Sequence, residues 1–117
     1  MPPSGNYVIV TGTNKPINGA VDKTVIAAQG AGKTIRILKA VVAVTLAATG
    51  GTGEVALEDG VGGTRFFEAD ADAAAVHMID FGETGYPLTD NTLLNATVDG
   101  AGTNQASARV TVVAMVV

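Results

Sequence analysis

Short runs rich in Val, Ile, Thr and Phe recur along the chain, separated by turn dipeptides at Asn18-Gly19, Gly50-Gly51, Asp59-Gly60, Gly62-Gly63 and Asp99-Gly100. β-Branched and aromatic residues suit a pleated, half-buried surface, and Asn-Gly, Asp-Gly and Gly-Gly supply the backbone freedom of tight turns. The pattern predicts eight strands, near 7–11, 24–29, 34–47, 53–58, 64–69, 75–81, 92–98 and 106–117. Their number and spacing predict an all-β chain: one antiparallel β-sandwich domain over 1–117, jelly-roll-like, with 1–6 as an extended N-terminal arm.

Two predicted strands break the alternation of apolar and polar positions. In the third, Leu38, Val42, Val44 and Leu46 share their run with apolar Val41 and Ala43, so the segment reads as two strands or one bent strand. In the last, Val110, Val112, Ala114 and Val116 face one way and Val113, Met115 and Val117 the other. A strand that is apolar on both faces needs cover on both. In a sandwich of 117 residues the second cover is read as another subunit. The stretch 68–75 holds helix formers, but it lacks apolar residues at helical spacing and reads as a short turn or loop.

Composition narrows the functional classes. There is no cysteine, which excludes disulfides, thiolate metal sites and cysteine nucleophiles. A single histidine excludes a multi-histidine zinc site. The pI of about 4.6 argues against a basic nucleic-acid binder. Charged residues make up 15% of the chain and hydrophobic ones 47%, a bland surface for a free monomer. Residues 1–52 carry Lys15, Lys23, Lys33, Arg36 and Lys39 against Asp22, a balance of +4. Residues 53–117 carry ten acids against Arg65 and Arg109, a balance of −8, and +4 − 8 gives the net −4. If the fold separates the halves, these become complementary flanks for a ring contact.

Candidate chemistry is sparse. Gly30-Ala31-Gly32-Lys33-Thr34 resembles the end of a phosphate-binding loop, but position 27 is alanine where that pattern needs glycine. A β-branched run comes after it where a helix is required, so it reads as a hairpin turn. Glu68, Asp70 and Asp72 alternate as a calcium-binding row might, yet lack the glycine and glutamate of a calcium loop and read as a solvated acidic loop, as does Glu58-Asp59. His77 has no catalytic partner in the sequence and reads as a packed or interface residue. Adjacent Phe66 and Phe67 predict one ring inward and one outward, and Tyr86-Pro87 reads as a turn entering a final hairpin. Asn95-Ala96-Thr97 fits a glycosylation pattern by chance. No secretory leader is legible at the N-terminus, and the longest apolar run, 40–44, is far too short to cross a membrane. Synthesis in a cytoplasm, with no membrane partner, is the expectation.

The segment 33–42 is succeeded by Gly53-Glu54-Val55-Ala56-Leu57-Glu58-Asp59-Gly60, then by Gly62-Gly63-Thr64, Tyr86-Pro87-Leu88, Asn91-Thr92-Leu93-Leu94-Asn95-Ala96 and Ala108-Arg109-Val110-Thr111-Val112. This string resembles the small β-sandwich or jelly-roll virion proteins of tailed bacteriophages, among them capsid decoration (cement) proteins. The resemblance covers 33–117 and is one of pattern. It implies a non-enzymatic protein of the capsid surface, a homotrimer that bridges major capsid protein subunits, while the broken motifs and the pI lead to the expectation of no cofactor, metal or nucleic acid. The expected subunit interface comprises Val113, Met115, Val117, Arg36 and Lys39. The competing expectation is a fibre or tail-tip module that binds a host-surface glycan.

Overall fold

The computed structural model describes residues 12–14, 21–46, 53–71, 73–100 and 107–117. Among these residues nine strands succeed one another: β1 (Gly12–Asn14), β2 (Val21–Ile26), β3 (Ile35–Leu46), β4 (Gly53–Asp59), β5 (Thr64–Asp70), β6 (Ala75–Asp80), β7 (Tyr86–Pro87), β8 (Leu94–Gly100) and β9 (Ser107–Val116). No helix occurs among the described residues. The predicted segment 7–11 lies outside them, as does the arm at 1–6.

The strands form two antiparallel sheets. One has the order β1-β9-β3-β6, with the two-residue β7 also paired to β3; the other has the order β2-β8-β4-β5. Successive strands therefore mostly cross between sheets, which is the double-sheet arrangement of a jelly roll. Among the described residues only β4 and β5 form a tight hairpin, closed at Gly60–Gly63 by a bond from Gly63 N to Gly60 O of 3.0 Å. Two expected hairpins are thereby corrected. The turn at Gly30–Lys33 connects β2 and β3 in opposite sheets, and β8 and β9 likewise lie in opposite sheets. Tyr86-Pro87 is itself a strand, set against Arg36 and Ile37.

The core lies between the sheets and is filled by Ile35, Ile37, Val42, Val110 and Val112 from one and Val55, Leu57, Leu94 and Val98 from the other. The uneven pattern of the third predicted strand has a local cause. Register with β9 skips one residue between Ile37 and Lys39, leaving Leu38 as a bulge. A bulge places two residues opposite one and resets the alternation. Ile35 and Ile37 before it, and Ala40, Val42 and Val44 after it, all turn inward. It is one strand, kinked. The same device acts in β5, where the register skips Phe66. Phe66 and Phe67 are consequently both half-buried against the core, which corrects the expectation of one ring in and one out.

One end of the sandwich is tied by side chains to loop backbone. Gly30 N donates to Asn91 Oδ1 at 2.9 Å and Gly32 N to Asp90 Oδ2 at 3.2 Å. Asp59 accepts from Thr89 N at 3.0 Å and from its hydroxyl at 2.6 Å. The glycine amides of the loop that resembles a phosphate binder are thus engaged by the chain's own side chains.

Candidate functional site

Antiparallel pairing sorts the outward residues of the larger sheet into cross-strand rows. Ala43 stands between Arg109 on β9 and Val76 on β6; Val41 stands between Thr111 and Met78; Lys39 stands between Val113 and Asp80. Opposed side chains in such rows lie close enough to form a continuous surface. Its middle is apolar and open: Met78 is 80% exposed and Val76 65%, with Val41, Ala43 and Val113 half-buried beside them. Arg109, Lys39 and Asp80 at its margin are exposed.

The expected interface residues fall differently around this band. Lys39 and Val113 lie within it. Arg36 is half-buried at its end and donates from Nη1 to the Thr84 carbonyl at 3.3 Å. Val117 is half-buried, its backbone paired with Thr34 by two bonds of 2.9 Å. Met115, opposite Arg36 in register, is only 1% exposed within the single chain. Its cover therefore comes from its own chain and needs no second subunit. Alternation fixes which face a side chain takes; it does not fix whether that face is open. Val76 and Met78, the most exposed members of the band, are not legible in the sequence because the polar residue between them, His77, is the one that turns inward.

The outward face of the smaller sheet is built the opposite way. Register places Glu58 between Asn95 on β8 and Arg65 on β5. Asn95 Nδ2 donates to Glu58 Oε1 at 2.8 Å and to Asp22 Oδ1 at 3.1 Å. Arg65 donates from Nε to Glu58 at 3.0 Å and from Nη1 to Glu54 at 2.7 Å. Glu58 is 4% exposed and Asn95 fully buried. This corrects the reading of Glu58 as part of a solvated pair. Buried carboxylates are retained where hydrogen bonds and an opposite charge satisfy them, as they do here. Burial also takes Asn95 out of reach as a glycosylation acceptor.

Charge is sorted by sheet and not by sequence half. The halves interleave, yet Arg36, Lys39 and Arg109 face outward on the larger sheet with Asp80. Asp22, Glu54, Glu58, Glu68 and Asp70 face outward on the smaller with Arg65. Glu68 and Asp70 are exposed on β5, and Asp72 lies outside the described residues. His77 turns inward opposite Val42, its ring 5.9 Å from that of Phe67, with Nε2 buried and lacking a hydrogen-bond partner. Phe66 stacks on Tyr86 at 4.5 Å and meets Phe81 edge-on at 5.8 Å, so these rings are occupied with one another.

Fold and surface together define an all-β jelly-roll sandwich with one open apolar face. No protein-family model matches the chain, and neither does any curated protein sequence. Among solved structures it is similar to a chain of the infectious bursal disease virus Gx strain, at 18% identity and a TM-score of 0.36, covering 94% of this chain and 31% of that one. It is similar to the Gt strain of the same virus at 14% identity and 0.39, covering 95% and 30%. A third similarity is to the virus-like particle of the giant freshwater prawn Macrobrachium rosenbergii extra small virus, at 15% identity and 0.32, covering 96% and 85%. The chain spans about a third of the length of the two bursal disease virus chains. The likeness is one of fold alone.

Proposed function

We propose that the chain is a non-enzymatic structural protein of a virion, a capsid decoration protein that binds the outside of a tailed-phage head as a homotrimer and stabilises the shell. The observation that carries this reading is the apolar band on the larger sheet. The core between the sheets is already filled, yet Val76 and Met78 remain in water beside Val41 and Ala43. Covering a Val or Met side chain fully is worth roughly 1.5–3 kcal/mol, so a partner surface that covers the band gains substantially. The basic residues Arg36, Lys39 and Arg109 orient that contact toward an acidic surface of the major capsid protein. Val113 and Lys39 lie in the contact, Arg36 and Val117 at its end, and Met115 supports it from within the chain.

The effect on the shell is mass action. Many copies, each with modest affinity for the assembled head, raise the stability of the state they bind. The test is to mix the protein with undecorated heads, sediment them, and heat the decorated and bare particles. Co-sedimentation and a higher bursting temperature are expected. A protein that stays in the supernatant, or that instead binds a host-surface glycan on an array, would overturn the role.

A further inference from the structure

The four sheet edges are not equally protected. An exposed edge offers unpaired backbone groups to any other strand, and proteins blunt such edges by shortness, charge or bulges. β1 is described over Gly12–Asn14 alone. β2 carries Asp22 and Lys23 and a register break between Thr24 and Ile26. β5 carries Arg65, Glu68 and Asp70 and the Phe66 bulge. β6, reading Ala-Val-His-Met-Ile-Asp, has a single charge at its end and pairs with β3 without any register break.

The free side of β6 can be assigned residue by residue. Phe81 N donates to Leu38 O at 2.8 Å, so the backbone groups of Phe81 point toward β3. Alternation then turns those of Ile79, His77 and Ala75 the same way, and those of Val76, Met78 and Asp80 outward. Among the described residues no strand pairs with that outer side.

We infer that β6 pairs antiparallel with β6 of a second copy of this chain about a twofold axis at His77, joining the two larger sheets into one. Self-complementarity selects this register. With His77 opposite His77, Val76 of each copy meets Met78 of the other and Asp80 falls opposite Ala74, beyond the strand. Shifting the axis to Met78 sets Asp80 against Val76, and shifting it to Ile79 sets Asp80 against Met78. Of these three registers only the first opposes apolar side chains alone on the outward face, His77 lying on the inward one. It also joins the two apolar bands into one surface twice as wide. The inference deepens the assembly role proposed above and rests on it. A trimer that uses other contacts for its threefold axis would pair with a neighbouring trimer through this edge.

The chain lacks cysteine, so introduced cysteines report the register directly. Opposed residues in a hydrogen-bonded antiparallel pair have Cα atoms about 5.5 Å apart, within disulfide reach, whereas like positions, two residues out of register with each other, exceed about 7 Å. An equimolar mixture of Val76→Cys and Met78→Cys variants in a glutathione buffer is expected to yield the mixed disulfide dimer well above either homodimer. Val76→Lys is expected to lower the sedimenting mass below that of the wild type, while circular dichroism shows the strand content retained. A mixture that cross-links no better than either variant alone, or a Lys variant of undiminished mass, would overturn the inference. If the mixed disulfide forms but the protein ignores phage heads, the strand contact stands and the decoration role falls.

Discussion

On the outward face of the larger sheet, Val76 and Met78 stand in water beside Val41 and Ala43; on the outward face of the smaller sheet, Glu58 and Asn95 are withdrawn from it. The two faces belong to sheets of similar size in one sandwich, yet each inverts the usual relation of polarity to exposure. The polar face is satisfied within the chain but for Asn95 Oδ1, which is buried without a partner. Its carboxylate receives bonds from Arg65 and Asn95, and Arg65 reaches on to Glu54, so the desolvation cost is offset within the chain. The apolar face has no such internal account. Nothing within the described residues covers Met78, and a side chain left open there forgoes burial that a partner would supply. One face is closed by folding, and the other is left open to a partner.

The sharpest way to break the comparison uses two methionines of the same outward face. Met115→Asp places a carboxylate at a site closed by its own chain, and a loss of more than about 3 kcal/mol is expected in urea unfolding. Met78→Asp places the same group in water. Equal destabilisation by the two would show that the band around Met78 is not open.

Next in size is the network on the polar face. Glu58→Ala removes the acceptor shared by Asn95 Nδ2 and Arg65 Nε, and a loss of about 2–4 kcal/mol is expected from the denaturant midpoint. Head binding by the folded fraction is expected to persist. Binding lost without a change in the midpoint would place the functional surface on the smaller sheet.

Most of the strand order in the sequence was legible because turn residues and β-branched runs are local signals. Seven of the predicted segments overlap β2 to β6, β8 and β9. The two-residue β7 carries too few residues for any periodicity to register. The bulges at Leu38 and Phe66 set the limit of the pattern argument. Leu38 and Phe66 each reverse the parity of the residues after them, and whether a strand keeps strict register depends on its partner across the sheet, which lies far away in sequence. Of the candidate site, the two-faced apolar character of β9 was legible, and Lys39 and Val113 lie in the open band. Met115 did not fit the pattern, because burial depends on what crosses above a face. Glu58 and Asn95 were missed for a related reason: their partnership is a cross-strand register of two polar residues that each look solvent-facing alone.

Smaller in its effect on stability is Met78→Asp taken by itself. A substitution at so exposed a position is expected to move the unfolding free energy by no more than about 0.5 kcal/mol. It should nonetheless remove co-sedimentation with heads, since it sets an unpaired carboxylate in the centre of the contact. A folded Met78→Asp protein that decorates heads as well as the wild type would remove the band from the contact.

The smallest effect is expected at the rim. Arg109 is exposed, lies beside Ala43 on the band, and belongs to the basic set that faces outward on this sheet. A charge at the edge of an interface acts chiefly on the approach of the partners, so Arg109→Glu should leave the thermal midpoint unchanged and slow association several-fold. The slowing should fade with added salt, because the screening length falls from about 10 Å at 0.1 M to about 3 Å at 1 M. Association rates of wild type and variant on immobilised heads, measured across that salt range, separate steering from contact. Convergence of the two rates at high salt is the expected result. A difference that persists undiminished would mean that Arg109 touches the partner as the apolar residues do, and that the band extends past Ala43 to include it.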